Sequence, residues 1–167
     1  ATVDRTRLND EVTGRIKDPA LAALLIAKSS LATERGAALQ LDPGSRLDKV
    51  DDGLSRDLTT VVGNLVDNAF DAVTGLPQAA VRVLVDGKAG EDVVVTVRDN
   101  GYGVPGGSTD HIFRQGFTTK EPGPAGSRGF GLALSRVVCR RSGGNLTVAN
   151  DNGAVFTAVL KRGTTQP

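Results

Sequence analysis

The sequence predicts an α/β domain, and three observations carry this prediction. Residues 54–74 repeat apolar side chains at helical spacing, with an apolar face wide enough to cover a sheet. Residues 80–98 and 145–160 each form two alternating stretches joined by a turn that contains Asp and Gly, which is typical of β-hairpins. With 167 residues the chain has the size of one domain and can bury a core.

The composition excludes several classes of protein. Twenty basic and nineteen acidic residues are spread along the chain, so we expect neither a nucleic-acid partner nor binding to an anionic membrane surface. The longest apolar run, residues 20–27, is too short to span a bilayer. The single cysteine, Cys139, excludes an internal disulfide, and its apolar helical context predicts a buried structural thiol. No methionine is present, so we expect a fragment of a longer protein.

The remaining elements are predicted from helix caps, alternation and turns. Residues 1–18 are polar without clear periodicity, and we expect a frayed lead-in there. Asp18 and Pro19 predict a helix start, because Asp is a good N-cap and Pro suits the first turn. The elements expected in order are a helix over 19–35, a strand over 37–41, the central helix over 54–74, strands over 80–85 and 92–98, a helix over 128–142, and strands over 145–149 and 154–160.

The central helix carries an unusual polar stripe in the stretch NLVDNAFDA. Asn64, Asn68 and Asp71 fall on one narrow face at 100° per residue. Asparagine is a poor residue inside a helix, because its amide competes for backbone hydrogen bonds. Two asparagines one turn apart therefore suggest amide oxygens held for a ligand. A solvated helix face is the alternative, and the helix alone does not decide between them.

Glycine is concentrated between residues 101 and 131, which hold nine of the 21 glycines. The segment begins after Asp99, a strand-end carboxylate that could accept a hydrogen bond from an exocyclic amine such as adenine N6; an Asx-type turn is the alternative. It ends with GSRGFGL at the start of a helix, where free N–H groups attract phosphate. Lys120, between them, is a plausible partner of a terminal phosphate. His111, the only histidine, is expected to have a capping or surface role.

Four stretches in this order, NLVDNAFDA, DNGYGVP, IFRQGFTTK and GSRGFGLAL, resemble the N, G1, F and G2 boxes of sensor histidine kinases in the GHKL ATP-binding superfamily. The resemblance covers residues 54–161. It implies a Bergerat-type two-layer α/β sandwich, with a mixed, mainly antiparallel sheet packed under about three helices and a mobile ATP lid. Residues 18–47 look like the segment that precedes the catalytic domain in citrate and C4-dicarboxylate sensor kinases. The expected division is a lead-in and linker helix over 1–36, the ATP-binding domain over 37–162 and a disordered tail over 163–167.

The resemblance also implies a role for individual residues. Asn68 is expected to ligate Mg²⁺, and Asp99 is expected to accept from adenine N6. Asn64, Lys120 and Arg128 match catalytic positions near the phosphates of ATP or ADP. The other expected nucleotide contacts are Asp71, Gly101, Gly103, Val104, Gly129, Gly131 and Leu132. The family often has threonine where this chain has Ala154, which puts one polar adenine contact in doubt.

One residue separates the possible activities. Asn64 stands where related ATPases carry a glutamate that activates water, and an amide cannot act as a general base. We therefore expect the domain to bind Mg-ATP and to donate the γ-phosphoryl group to a histidine on a dimerisation domain outside this chain, for relay to a response regulator. The full protein is expected to be a homodimer anchored in the membrane, with this domain in the cytoplasm. The alternatives are a GHKL ATPase, an anti-sigma-type serine kinase, or a nucleotide-sensing module without catalysis.

Overall fold

The computed structural model describes residues 2–104, 111–113 and 128–162. Over these residues the chain forms one six-stranded sheet and four α-helices. The helices are α1 (Thr2–Arg15), α2 (Pro19–Glu34), α3 (Asp52–Ala72) and α4 (Arg128–Arg141), with a short 3-10 helix at His111–Phe113. The strands are β1 (Ala37–Leu41), β2 (Arg46–Leu47), β3 (Ala79–Gly87), β4 (Val93–Asp99), β5 (Asn145–Asn150) and β6 (Ala154–Leu160).

The sheet is mixed and mainly antiparallel, as predicted. Its strand order is β1-β3-β4-β6-β5, and the short β2 also pairs with β3. Both predicted hairpins form, β3 with β4 and β5 with β6, whereas β1 and β2 run parallel to β3. Alternate residues of β4, such as Val93, Val95 and Val97, are buried beneath the helices. The residues between them, on the other face of the sheet, are only half-buried or exposed. The helices therefore form a single layer, and the fold is a two-layer sandwich.

The central helix α3 packs its apolar face on this sheet. It begins two residues earlier than predicted, because Asp51 caps it by accepting a hydrogen bond from the Leu54 N–H at 2.8 Å. It ends two residues earlier than predicted, at Ala72. Its buried residues are Leu54, Leu58, Val61, Val62, Leu65, Val66, Ala69 and Phe70. Truncating one of them, such as Leu65, to alanine is expected to cost about 2–5 kcal/mol of folding free energy.

The expectation of a frayed lead-in over residues 1–18 is wrong. Residues 2–15 form α1, which buries Leu8 and Val12, and Ile16, directly after the helix, is buried as well. Only three apolar residues line this stripe in an otherwise polar stretch, so the periodicity was too sparse to reveal the helix. The described residues therefore contain four α-helices, one more than the three expected. Ile16 also bridges to Leu47, in the short strand β2 that the sequence did not reveal.

The predicted cap of α2 and the predicted burial of the cysteine are confirmed. Asp18 caps α2 by accepting from the Leu21 N–H at 3.0 Å, and its carboxylate also accepts from the Ser55 hydroxyl at 2.8 Å. Cys139 is fully buried, and desolvation, reinforced by the charge of Asp57, raises the pKa of its thiol to about 11. None of the helices in the described ranges is long and apolar enough to cross a membrane. The expected tail, 163–167, lies outside the described residues.

Candidate functional site

Asp99, the last residue of β4, has a buried carboxylate of which only one oxygen accepts hydrogen bonds from the described residues. Its side chain is 6% exposed, and Oδ1 accepts hydrogen bonds from the backbone N–H of Gly101 at 2.9 Å and of Ala154 at 3.2 Å. Oδ2 is buried as well, but has no hydrogen-bond partner within residues 2–104, 111–113 and 128–162. Burying such an oxygen without a donor is costly, so the atom marks a place where a ligand N–H can bind.

The environment of Asp99 also shifts its titration. Burial raises the pKa of this carboxyl, and the two backbone N–H groups partly oppose the increase by stabilising the charge. The hydrogen bond from Gly101 is the Asx-type turn considered as the alternative from the sequence. That turn is present, but it uses only Oδ1. Turn formation therefore does not account for the second oxygen of the carboxylate.

Glycine allows the backbone to close tightly around Asp99. A Cβ on Gly101 would lie 2.6 Å from the Ala72 carbonyl oxygen, at the end of α3. A Cβ on Gly153, whose φ is +133°, would lie 2.0 Å from the Asp99 carbonyl oxygen. Neither position can take a side chain without moving the backbone. The two glycines bring α3 and the β5–β6 turn against the end of β4.

Asn150 fixes the chain that leaves β4, and the sequence did not identify it. Its side-chain Oδ1 accepts from the Val104 N–H at 2.8 Å, and its Nδ2 donates to the Val104 carbonyl at 2.9 Å. The same amide lies against Gly103, where φ is +85° and a Cβ would lie 2.5 Å from Asn150 Oδ1. The signal was a polar residue at the end of a strand, but the following Asp-Asn-Gly turn explained that residue equally well. Asn150 thus holds Gly103 and Val104 beside Asp99.

Asn64 joins α3 to the first turns of α4. Its Nδ2 donates to the Gly131 carbonyl at 3.2 Å and to the Ser135 hydroxyl at 3.1 Å. Ser135 is fully buried, and a Cβ on Gly131 would lie only 3.3 Å from the Asn64 amide. Ser135 was not identified from the sequence, although it is a polar residue one turn after Gly131 on the inner face of the helix. The amide therefore sets the position of α4 against α3.

The start of α4 presents backbone N–H groups beside this amide. The helix begins at Arg128, so Gly129 lies in its first turn, where N–H groups have no partner within the helix and favour anions. Leu132 is buried against the core, whereas Leu134 and Val137 are 51% and 47% exposed. Part of the apolar surface of this helix therefore lies on its outer face. The side chain of Arg128 lies outside the described part of the chain.

Two aromatic rings anchor the F-box segment beside α4. The ring of Phe113 meets the ring of Phe156 edge-on, with centroids 6.1 Å apart, and the Arg136 guanidinium lies 4.5 Å from the centroid of Phe113. Phe113 is thereby held between β6 and α4. The stretches 105–110 and 114–127, which include Lys120 and most of the expected ATP lid, lie outside the described residues.

The two remaining predicted residues of α3 have different surroundings. Asn68 is partly buried, and its side chain makes no hydrogen bond within the described part of the chain. Asp71 is 11% exposed, and its Oδ1 lies 3.7 Å from Arg35 Nη1. Among the residues that the structure describes, no group of three His, Cys, Asp or Glu side chains could hold a metal.

The family of the chain follows from its sequence match. Residues 53–164 match the family described as Histidine kinase-, DNA gyrase B-, and HSP90-like ATPase. The chain belongs to this family. This membership confirms the resemblance identified from the four boxes and agrees with the site, because the matched segment contains Asn64, Asp99 and the start of α4.

The curated relatives are sensor proteins, and the match extends beyond the family segment. The chain is 34% identical over 153 residues to the sensor protein CitS of Halalkalibacterium halodurans, which covers 89% of the chain and 28% of CitS. It is 34% identical over 145 residues to the sensor histidine kinase DcuS of Escherichia coli, covering 86% of the chain and 26% of DcuS. The chain thus spans less than a third of these proteins. Both alignments are longer than residues 53–164, so they include much of the α1–β2 region.

Solved structures of sensor kinases share the fold. The mycobacterial sensor histidine kinase MprB superposes with a TM-score of 0.65 and 22% identity, covering 85% of this chain and 94% of that one. Full-length ShkA in complex with AMPPNP gives a TM-score of 0.65 and 23% identity, covering 87% of this chain and 30% of that one. At this identity the likeness speaks for the fold alone. It confirms the predicted α/β sandwich.

Proposed function

We propose that this domain binds Mg-ATP among α3, the end of β4 and the start of α4, and donates the γ-phosphoryl group to a histidine on a separate dimerisation domain. The observation that carries the proposal is the buried Oδ2 of Asp99, which lacks a donor within the described residues. The N6 amine of adenine is a donor of the required kind. Membership of an ATP-binding family supports a nucleotide as the ligand.

The residues around Asp99 fit a flat base. Gly101 and Gly103 let the backbone pack closely against Ala72 and Asn150 beside the carboxylate, and Val104, held by Asn150, offers an apolar contact. Leu132 would close the other side of the adenine slot from α4. Ala154 supplies its backbone N–H to Asp99, so the missing threonine removes a side chain but leaves this backbone contact in place. We infer that the base end of the site is formed mainly by backbone and small residues.

The phosphate end is proposed from α3 and α4. The N–H groups around Gly129 and Gly131 would face the phosphates, because a helix start favours negative charge. Lys120 and Arg128 are proposed to add positive charge there. Asn68 would ligate Mg²⁺ through its amide oxygen, and Asp71 is a proposed contact one turn further on. When bound, Mg²⁺ neutralises negative charge on the phosphate oxygens.

Asn64 favours phosphoryl transfer to another protein over hydrolysis of ATP. Its amide nitrogen already donates to Gly131 and Ser135, and an amide has no basic group that could activate water. We propose that Asn64 positions α4 and leaves the attacking nucleophile to be supplied by the acceptor histidine. The only histidine of this sequence, His111, lies in the F box, one residue before the buried Ile112 and Phe113.

The relatives suggest the setting of this reaction. CitS and DcuS support the citrate and C4-dicarboxylate subgroup of sensor kinases, and their names describe sensors. We therefore propose a homodimeric, membrane-anchored sensor kinase that passes the phosphoryl group to a response regulator, with this domain on the cytoplasmic side.

Calorimetry with two nucleotides tests the adenine assignment. Wild type should bind ADP at least about tenfold more tightly than IDP, because inosine carries a carbonyl in place of the N6 amine. Asp99→Asn should lose most ADP affinity and the preference for ADP over IDP. Asp151→Asn, which removes a carboxylate that is 61% exposed on the β5–β6 turn, is the matched control and should bind as wild type does. Equal ADP affinity in wild type and Asp99→Asn would reject the site.

The metal assignment is tested by the dependence of binding on Mg²⁺. Asn68→Ala should weaken ADP binding when Mg²⁺ is present, and the difference from wild type should disappear when the metal is chelated. An Asn68→Ala defect of the same size with and without Mg²⁺ would show that the residue acts on folding or on the nucleotide itself.

The reaction is tested by adding a histidine-bearing dimerisation domain in trans with labelled ATP. Label should appear on the acceptor histidine, and ATP turnover by this chain alone should remain near the uncatalysed level. Steady production of ADP by the chain alone would favour the ATPase alternative. Nucleotide binding without transfer to any acceptor supplied would favour the sensing module.

A further inference from the structure

A nearly buried lysine connects α2 to the polar stripe of α3. Lys28 Nζ lies 2.6 Å from Asp67 Oδ1, and the lysine side chain is 15% exposed while that of Asp67 is 47% exposed. Burying an ammonium group is unfavourable unless it is paired, and Asp67 provides the pair. The bond joins residues 39 positions apart, from two different helices. Neither Lys28 nor Asp67 was assigned any role from the sequence.

A second ion pair and a van der Waals contact lie along the same interface between α2 and α3. Arg35 Nη1 lies 3.7 Å from Asp71 Oδ1, one turn further along α3 than Asp67. Between the helices, a Cβ added to Gly63 would make an ordinary van der Waals contact with Leu24 Cδ2 at 3.7 Å, so α2 and α3 lie against each other at this point. The two carboxylates on this side of α3 therefore face Lys28 of α2 and Arg35, the residue directly after α2.

These carboxylates alternate with the amides proposed to serve the nucleotide. Asn64, Asp67, Asn68 and Asp71 all lie within two turns of α3 on one stripe. A triphosphate at Asn68 would lie close to the Asp67 carboxylate, and like charges at such separations repel unless they are neutralised. The structure holds Asp67 toward α2 and away from α4, where Asn64 bonds.

We propose that Lys28 is a positioning residue of the nucleotide site. It turns the Asp67 carboxylate toward α2 and neutralises its charge, so that the face of α3 carrying Asn64 and Asn68 can accept phosphates. The proposal rests on the proposed binding of Mg-ATP. The helix α2 lies outside the matched family segment, and it contributes to the binding site through the charge of Lys28.

Calorimetry with Mg-ADP on single and double variants tests the proposal. Lys28→Gln should weaken Mg-ADP binding by about three- to tenfold, because Asp67 is left as an uncompensated negative charge. Asp67→Asn alone should not weaken binding. Lys28→Gln combined with Asp67→Asn should restore affinity to within about twofold of wild type, because the repelling charge is gone.

Two controls separate charge from packing. Lys88→Gln removes the same charge from the exposed β3–β4 turn and should leave affinity unchanged. The Lys28→Gln defect should shrink when KCl is raised from about 50 to about 500 mM, since salt screens repulsion. Should Lys28→Gln fail to fold, Lys28→Arg with wild-type affinity and Asp67→Asn with undiminished affinity would carry the test.

The outcomes distinguish this proposal from the proposed function. Wild-type affinity in Lys28→Gln, or a double variant as weak as Lys28→Gln, would overturn the positioning role while nucleotide binding stands. A loss of affinity in Asp67→Asn would also overturn it, because the carboxylate would then be required by the ligand. Absence of Mg-ADP binding by wild type would overturn the proposed function itself.

Discussion

The two ends of the candidate site, around Asp99 and between α3 and α4, are held together by different kinds of contact. At the end of β4, backbone N–H groups donate to the Asp99 carboxylate, and glycines let the surrounding backbone pack closely against it. Between α3 and α4, a single side-chain amide, Asn64, holds two helices together through Gly131 and Ser135. The first end is formed mainly by backbone contacts among α3, the end of β4 and the β5–β6 turn, whereas the second depends on side-chain hydrogen bonds between two helices.

This difference implies that the two ends of the site respond differently to a ligand and to substitution. A pocket formed by backbone keeps its shape before a ligand arrives, which reduces the ordering that binding must cost. A helix start held by one amide can shift when its contacts change. We therefore expect variants at the base end to lower stability and nucleotide affinity together. Variants between α3 and α4 should affect phosphoryl transfer more than binding of the base.

The largest effect is expected at Gly153. Gly153→Ala places a Cβ 2.0 Å from the Asp99 carbonyl oxygen at a φ of +133°, so the turn must move away from Asp99. The free energy of unfolding should fall by at least about 2 kcal/mol in urea denaturation. Gly14→Ala is the matched control, because a Cβ there meets nothing within 4 Å and the residue lies in α1. This control should change stability by at most about 1 kcal/mol, in the stabilising direction.

A smaller effect is expected between α3 and α4. Asn64→Ala removes both hydrogen bonds to α4 and leaves the buried Ser135 hydroxyl without this donor. It should cost about 1–3 kcal/mol of unfolding free energy, and Ser135→Ala about 0.5–1.5 kcal/mol. The double variant should be little worse than Asn64→Ala, because the two changes remove a shared bond. Strict additivity in the double-mutant cycle would contradict the contact.

The smallest effect concerns the pH dependence of stability at Asp99. Burial raises the pKa of Asp99 in the folded protein above its usual value of 3.8, so the folded state binds this proton more tightly than the unfolded chain. Stability contributed by the protonated form is complete below the unfolded pKa and is lost as pH rises through the folded pKa. As the pH rises from about 3.8 through the raised pKa of folded Asp99, wild type should therefore lose stability relative to Asp99→Asn. Above that pKa the difference in stability between the two proteins should remain constant. Urea midpoints of both proteins between about pH 4 and 8 measure this difference, and parallel pH profiles would contradict it.

The fold was predictable where the pattern was dense. The buried residues of β4, Val93, Val95, Val97 and Asp99, alternate without interruption, and the eight buried residues of α3 keep helical spacing over the whole helix. In α1 only Leu8 and Val12 mark the buried stripe, which Ile16 continues just after the helix, and β2 has two residues, too few for a period. Such sparse elements form because the rest of the core offers them a surface to pack against.

The site was predictable where a residue type has few uses. A strand-end Asp followed by two glycines, and asparagines in a helix interior, are unusual enough to indicate a ligand, and the structure leaves Asp99 Oδ2 buried without a donor among the described residues. Asn150, Ser135 and Lys28 are ordinary in their local sequence. Their importance comes from partners 46, 71 and 39 positions away, which local patterns cannot indicate.

By itself, the sequence determined the α/β class, both hairpins and the family, because each follows from periodicity or from motifs confined to a few neighbouring residues. Only the tertiary structure decided that Asn64 bonds to α4, that Asp67 and Asp71 face cations in α2 and directly after it, and that α1 belongs to the core. The physical reason is that hydrogen bonds and ion pairs act over a few ångströms in space. They therefore depend on which distant segments the packed core brings together.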